Sequence, residues 1–349
     1  MVTAAIRGFG SAMPARREQR RLWDGFFAGH YSRSPVARRV WDNAGVRHRH
    51  GVVDPCAEDV SGWGTAERMR RFLAEAVPLG KGALAACLHD AGLAPTDVGL
   101  LTVVSCTGYA TPGLDILLAR DLGMRDTVQR LHVGHMGCYA ALPGLAVAAD
   151  AAAARGKTAL LLCLELPSLH VQPRADEPDI EQIVAHALFG DAAAAVAVAP
   201  DAPVGSLRVV DVVARTDQAH AAMMSWDVTD RGFRMGLSPR VPDVVRRHVG
   251  EVVADLLDGN GVSRDDVAGW AIHPGGPRII DVVQRELGLS DADVAPSRAV
   301  LRDCGNCSSA TVLLIIDRLV CRRRPEPGTA IVSLAFGPGL TLYAALLRA

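Results

Sequence analysis

The chain has 349 residues, 49% hydrophobic and 21% charged, with a formal net charge of -1. That length supports one large domain or two packed ones with a sizeable core, and the charge balance gives no electrostatic case for nucleic acid or an anionic membrane as a partner. No run reaches the ~18 apolar residues of a membrane span: Glu165 interrupts the most apolar stretch, Thr158–Leu169, and the N-terminus lacks a signal-peptide pattern.

The expectation is therefore a cytoplasmic enzyme. Its eight cysteines are scattered without an export signal and are expected to be free thiols. Cys304 and Cys307 form a lone C-x-x-C with no second pair, so no metal is expected there. One local basic cluster stands out, Arg38, Arg39, Arg47 and Arg49 with His48 and His50.

In chain order, residues 10–75 are arginine-rich and irregular and are expected to form a covering helical layer. The spacing over Gly80–Leu93 predicts a helix, and the valine-rich run Val98–Gly108 a buried strand. CYAALPGLAVAADAAAARGK predicts a long buried helix stopping at Gly156, since Ala is the best helix former. Pro143 is odd there: either the helix begins later, or it starts kinked. KTALLLCLEL and AAAAVAVAP predict further strands. In the second half, VVRRHVGEVVADLLDGNG predicts an amphipathic helix, DDVAGWAIHPGG a strand entering a loop, and PRIIDVVQREL and SSATVLLIIDRLVCRR two helices. TAIVSLAFGPGLTLYAALL predicts a hairpin-like strand pair. This alternation argues for α/β sheets covered by helices. The two halves share an element order, with a divide expected near Pro200–Val204, giving residues 1–203 and 204–349.

Three glycine-dense stretches each surround one polar residue: HMGCYAA with Cys138, WAIHPGGPRI with His273, and DCGNCSSATV with Asn306. Strand-end loops are where α/β enzymes place chemistry. A thiol at a helix start is favoured as thiolate by the free N–H groups and the dipole, and a neighbouring imidazole lowers its pKa further. Such a thiol accepts acyl groups by exchange with a carrier thioester. His273 and Asn306 are placed to donate to a second thioester carbonyl and stabilise the enolate left when a malonyl group loses carbon dioxide. Taken singly, each has a plainer reading: Cys138 as core packing, His273 as a turn residue, Asn306 as a helix N-cap.

Five ordered blocks bring the three together. GCYAAL, ALFGDAAAAV, WAIHPGGPRIID, GNCSSATVLLIID and AFGPGLT resemble the signature segments of type III polyketide synthases, the chalcone and stilbene synthase superfamily, in its shorter bacterial form. Ala192 and Ala335 replace usual glycines. The resemblance implies an α/β thiolase-like fold, an αβαβα sandwich of two similar halves, and a homodimer. It implies Cys138 as acyl acceptor, with His273 and Asn306 promoting decarboxylation. It implies an acyl-CoA starter and malonyl-CoA as substrates, used without carrier protein or added cofactor, and iterative condensation followed by cyclisation to a resorcinol-type aromatic or a pyrone. A long alkyl starter is the leading expectation and a malonyl starter the second.

By the same resemblance Phe189 is a gatekeeper, Cys106, Thr107, His170, Trp226 and Met235 line the cavity, Gly275 and Gly276 belong to the substrate-binding histidine block, and Arg39 contacts CoA phosphate. Thr111 stands where plant members place a methionine crossing into the partner's cavity. His135 has no place in the matched pattern, so His273 is the expected imidazole. The alternatives are a ketoacyl synthase of the third type using malonyl-carrier protein, a cysteine hydrolase, and a non-catalytic acyl-CoA-binding module. HPGGP and GNCSSA favour the polyketide synthase over the first.

Overall fold

The computed structural model describes residues 4–173, 179–200, 202–203, 205–322 and 325–349. Part of the expected divide, at positions 201 and 204, lies outside them. Nine strands form one hydrogen-bonded sheet. They are β1 (Ala5–Ala12), β2 (Val98–Ser105), β3 (Gln129–Gly134), β4 (Thr158–Glu165), β5 (Ala192–Ala199), β6 (Leu207–Thr216), β7 (Val267–Ile272), β8 (Ala330–Gly337) and β9 (Thr341–Arg348). Their order in space is β7-β8-β9-β6-β1-β5-β4-β2-β3. The junction is the short antiparallel pairing Ala5↔Arg208 and Ile6↔Leu207. Outward from it, each half reads first strand, last, penultimate, second, and the N-terminal half adds β3 as an edge.

The main helices are α1 (Thr65–Ala91), α2 (Leu114–Asp121), α3 (Ala141–Arg155), α4 (Ile180–Leu188), α5 (Val241–Gly259), α6 (Pro277–Leu287), α7 (Asp291–Cys304) and α8 (Ala310–Arg322). Parallel neighbours such as β2 with β4, and β7 with β8, need crossover connections. α3 and α8 provide them, and both lie between the two halves of the sheet, touching strands of each. All eight residues of β4 are buried, as a strand covered on both faces requires. Alternate residues of the strands divide between two cores. Leu161, Val196, Ile331 and Leu347 face Leu145 and Ile315 of the central helices. Leu160, Leu162, Val332 and Leu334 belong to the outer core with Phe72 and Leu84 of α1 and Val249 and Leu256 of α5. The layers are thus αβαβα.

Three expectations change in detail. The helix expected at Gly80–Leu93 begins at Thr65, running 27 residues through Pro78. Pro78 and the glycines hid its first half, yet the glycines serve packing. A Cβ on Gly80 would lie 3.1 Å from Leu164, and one on Gly10 of β1 would lie 2.3 Å from the Ala83 carbonyl, so the helix lies unusually close to its sheet. Helix α3 begins at Ala141, after a separate 3₁₀ turn at Gly137–Tyr139. Pro143 is then its third residue, in the first turn, where a missing N–H costs no helical bond. Finally, β1, β3 and β6 carry no clear strand pattern, because glycines interrupt the first, exposed residues dominate the second, and Arg208, Asp211 and Arg215 break up the valines of the third. One segment, Gly137–Arg155, is apolar and long enough for a membrane span, but it is largely this buried central helix.

Candidate active site

Cys138 lies in the 3₁₀ turn between β3 and α3, and two glycines create the room around it. Gly137 adopts a left-handed φ of 77°, and a Cβ there would lie 2.5 Å from Pro338 Cδ. A Cβ on Gly337 would lie 2.7 Å from the Tyr139 ring and 3.2 Å from the Cys138 backbone nitrogen. The β8–β9 turn of the C-terminal half thus closes over the thiol, and no side chain fits between them.

The Ser308 hydroxyl lies 3.5 Å from the Cys106 sulfur, and the Asn306 and Ser308 side chains both favour a thiolate on Cys138. Burial outweighs them and pushes the thiol up to about 12. His273, fully buried at the end of β7, is held by burial down to about 3, and neither ring nitrogen has a hydrogen-bond partner. The ion pair expected from sequence is therefore not formed in this state: a dry site disfavours both charges. Both groups are thus neutral and the imidazole keeps its hydrogen-bonding capacity, but neither His273 nor Asn306 lines the cavity that contains Cys138.

Asn306 is fixed from two sides. Its Oδ1 accepts from the Ser308 N–H at 2.9 Å, so its NH₂ is the donating end. Its backbone pairs with the gate segment: the Asn306 N–H donates to the Leu188 carbonyl at 2.8 Å, and Gly190 N–H donates to the Asn306 carbonyl at 3.0 Å. Phe189 and Asn306 are bridge partners. The Asn306 Oδ1 thus closes a tight turn ahead of α8. Ser308 itself has a left-handed φ of 49°, a costly conformation for a residue with a Cβ.

A cavity contains Cys138 and is lined also by Cys106, Thr107, His135, Pro167, Phe189, Trp226, Met235 and Ser308. Behind it sits Glu165, fully buried and not singled out as a site residue from sequence. It accepts from the Cys106 N–H at 3.0 Å, the Thr107 hydroxyl at 2.8 Å and the Ser309 hydroxyl at 2.6 Å. Burial raises its pKa. Its signal was present: it is the charged residue that ends a strand of otherwise apolar, wholly buried sequence.

The other candidates fall in distinct places. The Trp226 indole donates to the Cys106 carbonyl at 2.7 Å. His170 is pinned, its Nε2 to the Thr107 carbonyl at 2.7 Å and its Nδ1 to the Phe233 N–H at 2.9 Å. It stacks on Phe233 and, held by burial down to about 4, is neutral. It lines not the Cys138 cavity but a second one beyond Phe189 and Met235. Gly275 and Gly276 do not line the Cys138 cavity; they turn the chain from β7 into α6, where a Cβ on Gly276 would lie 3.4 Å from Leu188. Arg39 is exposed on the short helix Ala37–Asp42, away from both cavities. Among the described residues no group of three His, Cys, Asp or Glu side chains is arranged to hold a metal ion.

Sequence and fold comparisons agree with this geometry. The N-terminal domain of chalcone and stilbene synthases matches residues 58–202, and the C-terminal domain of the same family matches residues 212–349. The chain is 36% identical over 320 residues to a 1,3,6,8-tetrahydroxynaphthalene synthase of Streptomyces peucetius subsp. caesius, covering 90% of this chain and 83% of that one. It is 36% identical over 323 residues to a 3,5-dihydroxyphenylacetyl-CoA synthase of Amycolatopsis balhimycina, covering 90% and 85%. Among solved structures, the 1,3,6,8-tetrahydroxynaphthalene synthase of Streptomyces coelicolor A3(2), a bacterial type III polyketide synthase, superposes with a TM-score of 0.91 at 27% identity, covering 99% of each chain. A buried thiol at the seam of two like halves thus sits in a chain that belongs to the chalcone and stilbene synthase family, the type III polyketide synthases.

Proposed function

We propose that the enzyme builds a polyketide from malonyl-CoA on Cys138 by iterative decarboxylative condensation, then cyclises it to a small hydroxylated aromatic. The observation that carries this reading is the Cys138 sulfur set in a cavity beside Ser308 and Phe189, with the Asn306 and Ser308 side chains favouring its thiolate, and the unpartnered His273 imidazole buried in the same half as Asn306. An acyl-CoA loads by thiol exchange, and the CoA thiol leaves. A malonyl-CoA then loses carbon dioxide: its carboxyl C–C bond breaks and the electron pair becomes a thioester enolate. His273 and Asn306 have the donors to hold the enolate oxygen. The enolate carbon attacks the Cys138 thioester, a C–C bond forms, the C–S bond breaks, and the thiolate takes up a proton. The lengthened chain, now on CoA, returns to Cys138.

A short starter fits better than a long alkyl chain, because Trp226, Phe189 and Met235 wall off the cavity. The products named for the two relatives at 36% identity carry ten carbons and an eight-carbon acyl group, five and four two-carbon units, which malonyl-CoA alone supplies. Trp226→Ala should open the cavity and lengthen the products by one or more two-carbon units by mass spectrometry; an unchanged product length counts against Trp226 setting it.

No cofactor beyond the CoA thioesters enters this chemistry, and Arg39 is the candidate for the CoA phosphates. The eight free thiols suit a reducing cytoplasm. The same reading implies a homodimer: the edge strand β3 leaves Leu131 exposed, near exposed Ile116 and Tyr109, a pattern suited to a partner. Light scattering during size exclusion should report twice the 36.9 kDa chain mass; a monomer would refute it. The central test is malonyl-CoA as sole substrate, without carrier protein. Product formation supports the reading, and dependence on malonyl-carrier protein would point to the ketoacyl synthase instead.

A further inference from the structure

Closing a ring on the grown chain needs a group that moves protons. The reaction takes a hydrogen from a chain carbon and delivers one to a former carbonyl oxygen, and a positioned side chain speeds both transfers. Most residues around Cys138 are unfit for this. Phe189, Trp226, Met235 and the prolines of the cavity carry no group that titrates. The Thr107 hydroxyl donates to Glu165 at 2.8 Å, and the Cys106 thiol lies 3.5 Å from the same carboxylate and is pushed up by burial. His273 is fully buried and does not line the cavity. That leaves His135, the one imidazole among the described residues that line it. No matched sequence block claims this residue. Its backbone is left-handed at φ 61°, a costly conformation for a residue with a Cβ. This bend carries the chain from the edge strand β3 into the 3₁₀ turn of Cys138. The ring has no hydrogen-bond partner among the described residues, and His135 is exposed, so its proton exchanges with water. Three residues separate it from Cys138, which limits the distance between their backbones to about 11 Å.

We propose that His135 is the acid–base catalyst of cyclisation, serving the grown chain held on Cys138. This deepens the proposed function and rests on its aromatic product. The neutral imidazole takes a proton from a methylene between two carbonyls of the chain, and the C–H electron pair stays behind as an enolate. The enolate carbon attacks a ketone carbon of the same chain. A C–C bond forms, the C=O π pair moves to oxygen, and that oxygen takes the proton back from the imidazolium. The new hydroxyl then leaves as water with a hydrogen from the neighbouring carbon, and the remaining ketones enolise to ring hydroxyls. No oxidant or added reactant is needed, and His135 ends as it began. The competing fate needs no such catalyst. An enol oxygen of the chain attacks the Cys138 thioester, the C–S bond breaks, the enol proton passes to the sulfur, and the chain leaves as a pyrone. His135 thus decides between two fates of one chain.

The test reads the ratio of aromatic to pyrone products made from malonyl-CoA alone, by liquid chromatography and mass spectrometry. The ratio reports what becomes of the chain, whatever the total turnover. His135→Gln keeps the bulk and the hydrogen bonding of the side chain, and His135→Asn keeps the left-handed bend, which asparagine tolerates. Neither side chain carries a proton from carbon to oxygen. The expected result is a ratio at least about tenfold below wild type in both variants. A fall in only one of them shows an effect of shape and overturns the proposal. An unchanged ratio in both overturns it as well, and leaves the condensation chemistry standing. No product of either kind from the folded variants puts His135 before cyclisation, which also overturns it. Should His135→Gln fail to fold, added imidazole decides with His135→Asn: a restored ratio upholds the proposal, and none overturns it. Wild type that makes no aromatic from malonyl-CoA fails the proposed function itself, and this step with it.

Discussion

Cys138 and Cys307 occupy like places in the two halves. Each lies three residues before the first residue of a central helix, Ala141 of α3 and Ala310 of α8. Only one has a reaction chamber. Cys138 borders the cavity beside Ser308, and the Asn306 and Ser308 side chains favour its thiolate. Cys307 is 0% exposed, points at the Cys304 carbonyl 3.5 Å away, and lines neither cavity. Position in the fold therefore supplies the turn and the helix start; access and donors make a nucleophile. The C-terminal copy has become the supplier of those donors, since Asn306 and Ser308 flank Cys307 itself.

The sharpest way to break this contrast is to remove each sulfur. Cys138→Ala should cost ~10⁴-fold or more in product formation, whereas Cys307→Ala should leave turnover of the folded enzyme within about threefold, both read by product mass spectrometry. A comparable loss at both sites would mean the halves are not functionally distinct. Next comes the donor. Asn306→Ala removes the amide that favours the thiolate and the Oδ1 that holds Ser308, and should lower malonyl-CoA decarboxylation by on the order of 10²–10³-fold. A decarboxylation rate within a few-fold of wild type would remove Asn306 from the enolate step.

Smaller effects come from pH. With the thiol near 12 in the free enzyme, its thiolate fraction at pH 8 is about 10⁻⁴. Iodoacetamide labelling of Cys138, read on its peptide, should rise about tenfold per pH unit from 7 to 10, while Cys307 stays unlabelled. A labelling plateau already at pH 6–7 would reveal a thiolate–imidazolium pair that this structure lacks. Stability should also respond to acid. His170, His186 and His273 are depressed to about 4, 3 and 3 by burial, so between about pH 3 and 6.5 the unfolded chain binds more protons and stability is lost as pH falls. Asp191, raised to about 6 by burial, opposes this between about pH 4 and 6, because there the folded state holds the extra proton. Glu165, also raised by burial, opposes it in the same sense; each net proton is worth about 1.4 kcal/mol per pH unit, and the melting temperature should drop from pH 7 to 5. A flat profile would show these imidazoles are not buried neutral.

Much of this was legible in sequence because the buried strands and helices carry their own pattern. Val98–Gly108, the β4 run, α5, α6, α8 and the final strand pair all read as apolar periods between glycine or proline stops. The edges did not, since exposed β3 needs no apolar face and β1 trades side chains for closeness to α1. The three reactive residues were each ambiguous alone and became a candidate site through block resemblance. Ser308 and Glu165 were missed for a physical reason: their roles depend on hydrogen bonds between segments far apart in sequence, Glu165 reaching Ser309 and Ser308 reaching Cys106. His170 looked like a cavity residue and is a pin between the Thr107 loop and the Phe233 strand.

The most direct measurement is mass spectrometry of the Cys138 peptide and of released products after incubation with uniformly ¹³C-labelled malonyl-CoA alone. The expected result is an acyl thioester on Cys138 and products whose labelled carbons number a multiple of two, with labelled carbon dioxide released. No adduct on Cys138, or hydrolysis to malonate without a new carbon–carbon bond, would contradict the account.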